Sequence, residues 1–219
     1  MRTIKGKNGY EAYEDDDGVR NLAVEPATRV VIRTDDVYQT EVEKGVAGYP
    51  QRAVDIAAGY DNAGALENPD GIGMAGRSKR GENYCQIYVA LDPATGTIAH
   101  ATFRAHGSLG MIASASLAAT LLVGLTPAQA LARVTDQRLR AELGGPLPRG
   151  GAMCPLVAAE AVRAAMGDVL YRQGADLAAL DAACPCDTLS TGCLMCEICS
   201  LRKTRVELAL QSQAARSTR

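Results

Sequence analysis

The sequence predicts an α+β fold: a small antiparallel three-stranded sheet with helices packed on one face. An N-terminal extension precedes this unit and a cysteine-rich helical appendage follows it. Three observations point there. Tyr84 to Leu91 alternates as a half-buried strand does, and Asp92-Pro93-Ala94-Thr95-Gly96 is turn chemistry leading into a second strand from Ile98 to Ala105. That strand passes through Gly107-Ser108 into a helix whose small residues (Ala113, Ser114, Ala115, Ser116, Ala118 and Ala119) let another backbone approach closely. From there onward the chain reads as helices separated by glycine and proline.

Taken in order, residues 1–50 are an extension in which Arg29-Val30-Val31-Ile32-Arg33 is the convincing strand. It is expected either as an added edge of the main sheet or as a docking element. Glu14-Asp15-Asp16-Asp17-Gly18 reads as a solvated acidic turn. Gln51 to Leu66 is expected to be helical, although Gly59 and Gly64 each weaken it by about 1 kcal/mol relative to alanine. Pro69, Gly71, Gly73 and Gly76 then suggest a loop, continued by the cationic Arg77-Ser78-Lys79-Arg80. Past the helix after Ser108, Thr126-Pro127 is an N-cap followed by proline at the first helical position. Thr135-Asp136 opens another helix, which Gly144-Gly145 stops. Pro155 begins a long helix to about Gln173, Ala175 to Ala183 a short one, and Leu201 to about Gln213 the last.

Hydrophobic residues make up 47% and charged residues 22% of the 219, so the chain can bury a core rather than remain disordered. One Phe, eight Tyr and no Trp leave that core to Ala, Leu, Val and Ile. A net charge of −2 gives no general attraction to nucleic acid or to an anionic membrane. No apolar run reaches the roughly 18 residues of a membrane span, and the N-terminus lacks an apolar signal core. The expected location is the cytoplasm, with no nucleic-acid or membrane partner.

Five of the seven cysteines (Cys184, Cys186, Cys193, Cys196 and Cys199) fall within sixteen residues. In a reducing compartment that density favours metal or redox chemistry over a disulfide framework. Cys193-x-x-Cys196-x-x-Cys199 brings three thiolates onto one tight turn, with Cys184 or Cys186 as a fourth ligand. An iron–sulfur cluster is the expected occupant, and zinc is the alternative for the same sulfurs. Cys154, ahead of a proline-initiated helix, sits where free N–H groups favour the thiolate, while desolvation by Leu156 and Val157 opposes it. It is either a reactive thiol or a buried structural one. Cys85, within the first strand, is expected to be an inert buried thiol. His106 precedes Gly107 and reads as a surface group or an imidazole near the loop.

Four segments in register carry a family resemblance: Glu67-Asn68-Pro69-Asp70-Gly71-Ile72-Gly73, Gly81-Glu82-Asn83-Tyr84-Cys85, Gly107 to Ala118, and Met153-Cys154-Pro155-Leu156 onward. Together they resemble the U-type iron–sulfur cluster assembly scaffolds, IscU and the amino-terminal domain of NifU, over about residues 51 to 174. The resemblance implies a non-enzymatic scaffold that works with protein partners: a sulfur donor, a chaperone or a recipient apoprotein. It also implies a ligand set of three cysteines aided by an aspartate and a histidine. Here Cys154 alone keeps a cysteine position, with Ser108 at the second and Arg80 at the first. Glu82 replaces the aspartate and Met153 the histidine. One soft thiolate and a serine do not make the family's iron site.

The domains expected are therefore an extension at 1–50, the scaffold-like unit at 51–174, and the cysteine-rich segment at 175–219. The leading expectation is a divergent scaffold or carrier that holds iron or a cluster through Cys184, Cys186, Cys193, Cys196 and Cys199, with Cys154 closing the site. Its rival is an adaptor or accessory subunit of a larger enzyme complex, keeping the fold without the cluster site. A third reading is an electron-transfer protein with a permanent cluster in the tail.

Overall fold

A computed structural model describes the backbone of residues 2–5, 11–14, 20–23, 29–34, 37–43, 48–76, 83–186 and 198–217, with side chains for 48–76, 83–186 and 198–214. In the extension, β1 (Arg2–Lys5), β2 (Glu11–Glu14) and β3 (Arg20–Ala23) form an antiparallel meander. Strand β4 (Arg29–Thr34) is the one anticipated at Arg29–Arg33, but it pairs with β5 (Val37–Glu43) in its own hairpin rather than joining the main sheet. The other four strands fall where the sequence marked none.

The central sheet has β6 (Gly71–Gly76), β7 (Tyr84–Leu91) and β8 (Ile98–His106) in antiparallel order. Three cross-strand rows face the helices: Ala75–Cys85–Ala105, Gly73–Ile87–Phe103 and Gly71–Val89–Ala101. All nine residues are buried. Helix α1 (Gln51–Ala58) rests on α2 (Leu109–Leu122), and α2 lies on β7 and β8. Short helices α3 (Pro127–Arg133) and α4 (Asp136–Glu142) lead to the long α5 (Cys154–Arg172), which lies on β6 and β7. Helix α6 (Leu177–Ala183) and helix α7 (Ser200–Ser217) then pack on α5, giving a small second cluster of Ala164, Leu180, Cys184 and Leu201. The α+β fold expected from the sequence is the one observed.

Strand β6 is where a loop was expected. Its glycines look like turn signals but serve close packing, a recognised use of glycine inside a strand. A β-carbon on Gly73 would overlap the backbone nitrogen of Ala165 and the carbonyl oxygen of Ala161 in α5. One on Gly71 would crowd Val169 and the Ala165 carbonyl. As an edge strand, β6 has outward N–H groups to satisfy. Ile72 N donates to Asp168 Oδ2 at 2.9 Å and Met74 N to Ser200 Oγ at 2.9 Å, so α5 and the start of α7 cover that edge.

Helix α1 also ends earlier than the sequence suggests, at Ala58 rather than near Leu66. The following segment is used on the far edge of the sheet instead. Phe103 N donates to the Asn62 carbonyl at 3.1 Å and Gly64 N to the Phe103 carbonyl at 2.8 Å. The caps of the later helices are as expected: Thr126 and Gln129 form a reciprocal capping box, and Thr135 Oγ1 accepts from Arg138 N at 3.3 Å.

Replacing Gly73 by alanine is expected to destabilise the chain by about 3 kcal/mol or more, since the obstacles are backbone atoms that cannot swing aside. Gly150→Ala, whose β-carbon would meet open space, should change urea-unfolding stability by no more than about 0.5 kcal/mol. Equal stabilities of the two variants would contradict this packing.

Candidate functional site

The loop between β8 and α2 is fixed by one side chain. Gly107 takes a φ of 135°, and a β-carbon there would overlap Asn83 Oδ1. That same oxygen accepts from Ser108 N at 2.9 Å, while Asn83 Nδ2 donates to the Gly150 carbonyl at 3.5 Å. Asn83 thus ties the loop carrying Ser108 to the connector that delivers Cys154. Sequence reasoning gave Asn83 no role; its adjacency to the strand start carried no signal of this bridge.

Ser108 precedes α2, but its hydroxyl makes no cap hydrogen bond; Ser108 Oγ and Cys154 Sγ share one of 3.5 Å instead. Cys154 is the first residue of α5, and its N–H donates to the Gly151 carbonyl at 2.9 Å. The thiol is fully buried. Burial pushes it up from the ordinary 9.0 to about 11, against the smaller lowering effects of the Ser108 hydroxyl and the Arg140 guanidinium. The favourable helix end expected to make this thiol acidic is therefore outweighed. Cys85 is also fully buried as expected, and its thiol is pushed up further by burial and by Cys154 within electrostatic reach.

Of the positions assigned by resemblance, Ser108 and Cys154 are brought together. Met153, just before α5, is 43% exposed. Arg80 and Glu82 lie outside the described residues, as does the rest of the cationic loop from Arg77. His106 stands with its ring centroid 6.0 Å from that of Tyr84. Among the described residues no group of three or more His, Cys, Asp and Glu side chains is arranged to hold a metal ion. A buried thiol paired with a hydroxyl does not fit an iron centre that needs several soft thiolates.

The tail forms a separate neighbourhood. Cys184 caps α6 from a fully buried position, its Sγ 3.8 Å from the Arg163 carbonyl. Arg205 donates to the Cys184 carbonyl at 3.2 Å and to the Cys186 carbonyl at 3.4 Å. Arg163, ion-paired with Glu160, also donates to the Pro185 carbonyl, and both Cys186 and Cys199 lie within its electrostatic reach. Burial raises the Cys184 and Cys199 thiols, and the guanidinium of Arg163 works against that at both. Cys193 and Cys196 lie outside the described residues. Arg163 is nine residues along α5 from Cys154, a rise of about 14 Å, so the described tail thiols are not gathered with Cys154. No disulfide joins the five described cysteines.

This domain, with its glycine loop facing the cysteine at the head of a long helix, belongs to a known family: the NifU-like N-terminal domain, whose model matches residues 48–176. Among relatives, the chain is 37% identical over 99 residues to a nitrogen fixation protein NifU of Cereibacter sphaeroides, covering 45% of this chain and 39% of that protein. It is 29% identical over 126 residues to the iron–sulfur cluster assembly scaffold protein IscU 1 of Archaeoglobus fulgidus, covering 58% of this chain and 79% of the relative. A crystal structure of a nitrogen-fixing NifU-like protein, N-terminal part, from Brucella abortus is 20% identical, with a TM-score of 0.34, covering 61% of this chain and 90% of that one. The chain thus spans about two fifths of the NifU relative's length. No helix among the described residues is long and apolar enough to cross a membrane.

The buried thiols have a consequence at high pH. An unfolded thiol releases its proton near 9.0, whereas Cys154 holds it to about 11. Its contribution to stability is complete below pH 9 and is lost as the pH climbs from there through 11. Urea-unfolding stability should fall across that window, and Cys154→Ala should remove up to about 2 kcal/mol of the fall. Cys85 acts in the same direction, so part of the decline remains in the variant. An identical decline with and without Cys154 would contradict its burial as a neutral thiol.

Proposed function

We propose that this chain is a divergent iron–sulfur cluster assembly scaffold or carrier, whose cargo is iron or a cluster held by the cysteine-rich tail. The observation that carries the reading is the NifU-like domain at residues 48–176. Membership of that family argues for a protein that passes a cluster between partners rather than one that turns over a substrate. The tail assignment to Cys184, Cys186, Cys193, Cys196 and Cys199 is supported by the spacing of the last three and by Cys186 and Cys199 both lying within electrostatic reach of Arg163. A positive guanidinium suits a site where several thiolates accumulate negative charge. The expected division of the chain is an extension at 1–50, the scaffold domain at 51–174 and the cargo-bearing tail at 175–219. The partners of this reading are a sulfur donor, a chaperone or a recipient apoprotein, in the cytoplasm. Zinc is the alternative occupant of the same sulfurs.

A second reading, an adaptor or accessory subunit of a larger enzyme complex, is favoured by one observation. Cys154, the remaining thiol at a family cysteine position, is buried and faces a serine hydroxyl.

Metal and sulfide analysis of the full chain, purified without oxygen, separates the two. The scaffold reading expects iron and acid-labile sulfide in the unsubstituted protein. Replacing Cys193 and Cys196 together by serine should remove most of that metal while the melting temperature and far-UV dichroism stay the same. Unchanged metal content in the double variant would overturn the tail assignment. A chain without metal in both forms would leave the adaptor reading in its place.

A further inference from the structure

We infer that Tyr49 is a movable cover over the Ser108–Cys154 site, and that its ring keeps the thiol out of solvent. The ring lies directly on two stretches of bare backbone. A β-carbon on Gly110 would come within 3.2 Å of Tyr49 Cε1, and one on Gly151 within 3.0 Å of Tyr49 Oη. Neither glycine has a positive φ among those recorded in this chain, so their conformation does not demand glycine. Their bareness leaves room for the ring, with Leu147 Cδ1 as near to Gly110 as the ring is. Gly110 is two residues beyond Ser108, and the Gly151 carbonyl accepts the N–H of Cys154 at 2.9 Å. Tyr49 therefore spans the seam between the two segments that deliver the serine and the thiol. Leu147, buried and close to Gly110, forms the fixed wall beside it.

The cover is held by packing alone. No hydrogen bond involves the Tyr49 hydroxyl among the described residues, and the residue is only half-buried, in contrast to Cys154. Pro50 anchors one side by starting α1, its carbonyl accepting from Ala53 N at 2.9 Å. On the other side Gly48 has a φ of 90°, and a β-carbon there would meet Pro148 Cβ at 3.6 Å, an ordinary contact. A left-handed glycine beside an anchored proline is a natural pivot for one side chain to swing. With the ring withdrawn, the thiol meets solvent with Ser108 already in hydrogen-bond contact and Arg140 within electrostatic reach. This deepens the proposed function and rests on it only for what the thiol is opened to, a protein partner of the scaffold.

The test is alkylation of the full, metal-free chain with iodoacetamide, followed by peptide mass mapping of Cys154 and Cys85. Tyr49→Ala should label Cys154 at least about tenfold faster than the unsubstituted chain, through local rather than global opening. Tyr49→Phe should label at the unsubstituted rate, because the ring rather than the hydroxyl makes the seal. Cys85, fully buried within β7, reports whole-chain opening and should stay unlabelled in both variants. Cys154 labelled at the unsubstituted rate in a folded Tyr49→Ala chain would overturn the cover, as would Cys85 and Cys154 rising together. If the alanine variant does not fold, the unsubstituted chain still decides. Labelling of Cys154 should respond weakly to low urea, and labelling of Cys85 steeply; equal urea dependence would overturn the inference. None of these readings depends on metal, so failure of the scaffold reading shows up separately.

Discussion

The structure depends on the close contact between α5 and the glycines of β6. Without side chains at Gly71 and Gly73, the helix backbone lies directly on the strand. That contact sets where everything else on α5 falls. Asp168 reaches the free edge of β6, its Oδ2 accepting also from Arg172 Nε at 2.9 Å. Gly167 leaves room for Leu201, through which α7 docks. The head of the helix is carried to the Ser108 loop, so that one contact fixes the relation between the thiol and the loop.

At that head, two opposing effects act on Cys154, and their sizes decide the chemistry. A helix end stabilises a nearby negative charge by about 0.3–1 kcal/mol at an exposed site, less than one pKa unit. Burial moves the thiol from 9.0 to about 11, which corresponds to about 2.7 kcal/mol. Desolvation wins, and the thiol is neutral at rest. Among the described tail thiols, Cys184 lies in a different setting, where the positive charge of Arg163 and Arg205 opposes the effect of burial, as Arg163 does at Cys199. The chain therefore separates a closed thiol in the sheet–helix core from Cys184 and Cys199, which lie within reach of fixed cations.

Much of the fold was legible from local chemistry. Thr126 before Pro127 and Thr135 before Asp136 gave the starts of α3 and α4, and Gly144 and Gly174 marked helix ends with φ values of 90°. The hairpin of β7 and β8 followed from alternation and the Asp92–Gly96 turn, where Gly96 N donates to the Asp92 carbonyl at 2.8 Å. Strand β6 was not legible because its glycines answer a helix 90 residues away, a demand that leaves no periodic pattern. For the same reason the end of α1 was misjudged: the backbone after Gly59 is used by Phe103. In the candidate site, Ser108 and Cys154 were legible by resemblance, but the hydrogen bond that joins them was not. It depends on how Asn83 ties the Ser108 loop to the connector before Cys154, a contact between segments far apart in the chain.

The central claim is that cargo, where the chain carries it, sits on the tail and not in the Ser108–Cys154 site. The most direct measurement is iron and acid-labile sulfide per chain in Cys154→Ser, reconstituted without oxygen beside the unsubstituted protein. The account predicts the same iron and sulfide content and the same visible absorption in both. Loss of half or more of the iron in Cys154→Ser, with the chain still folded, would contradict it.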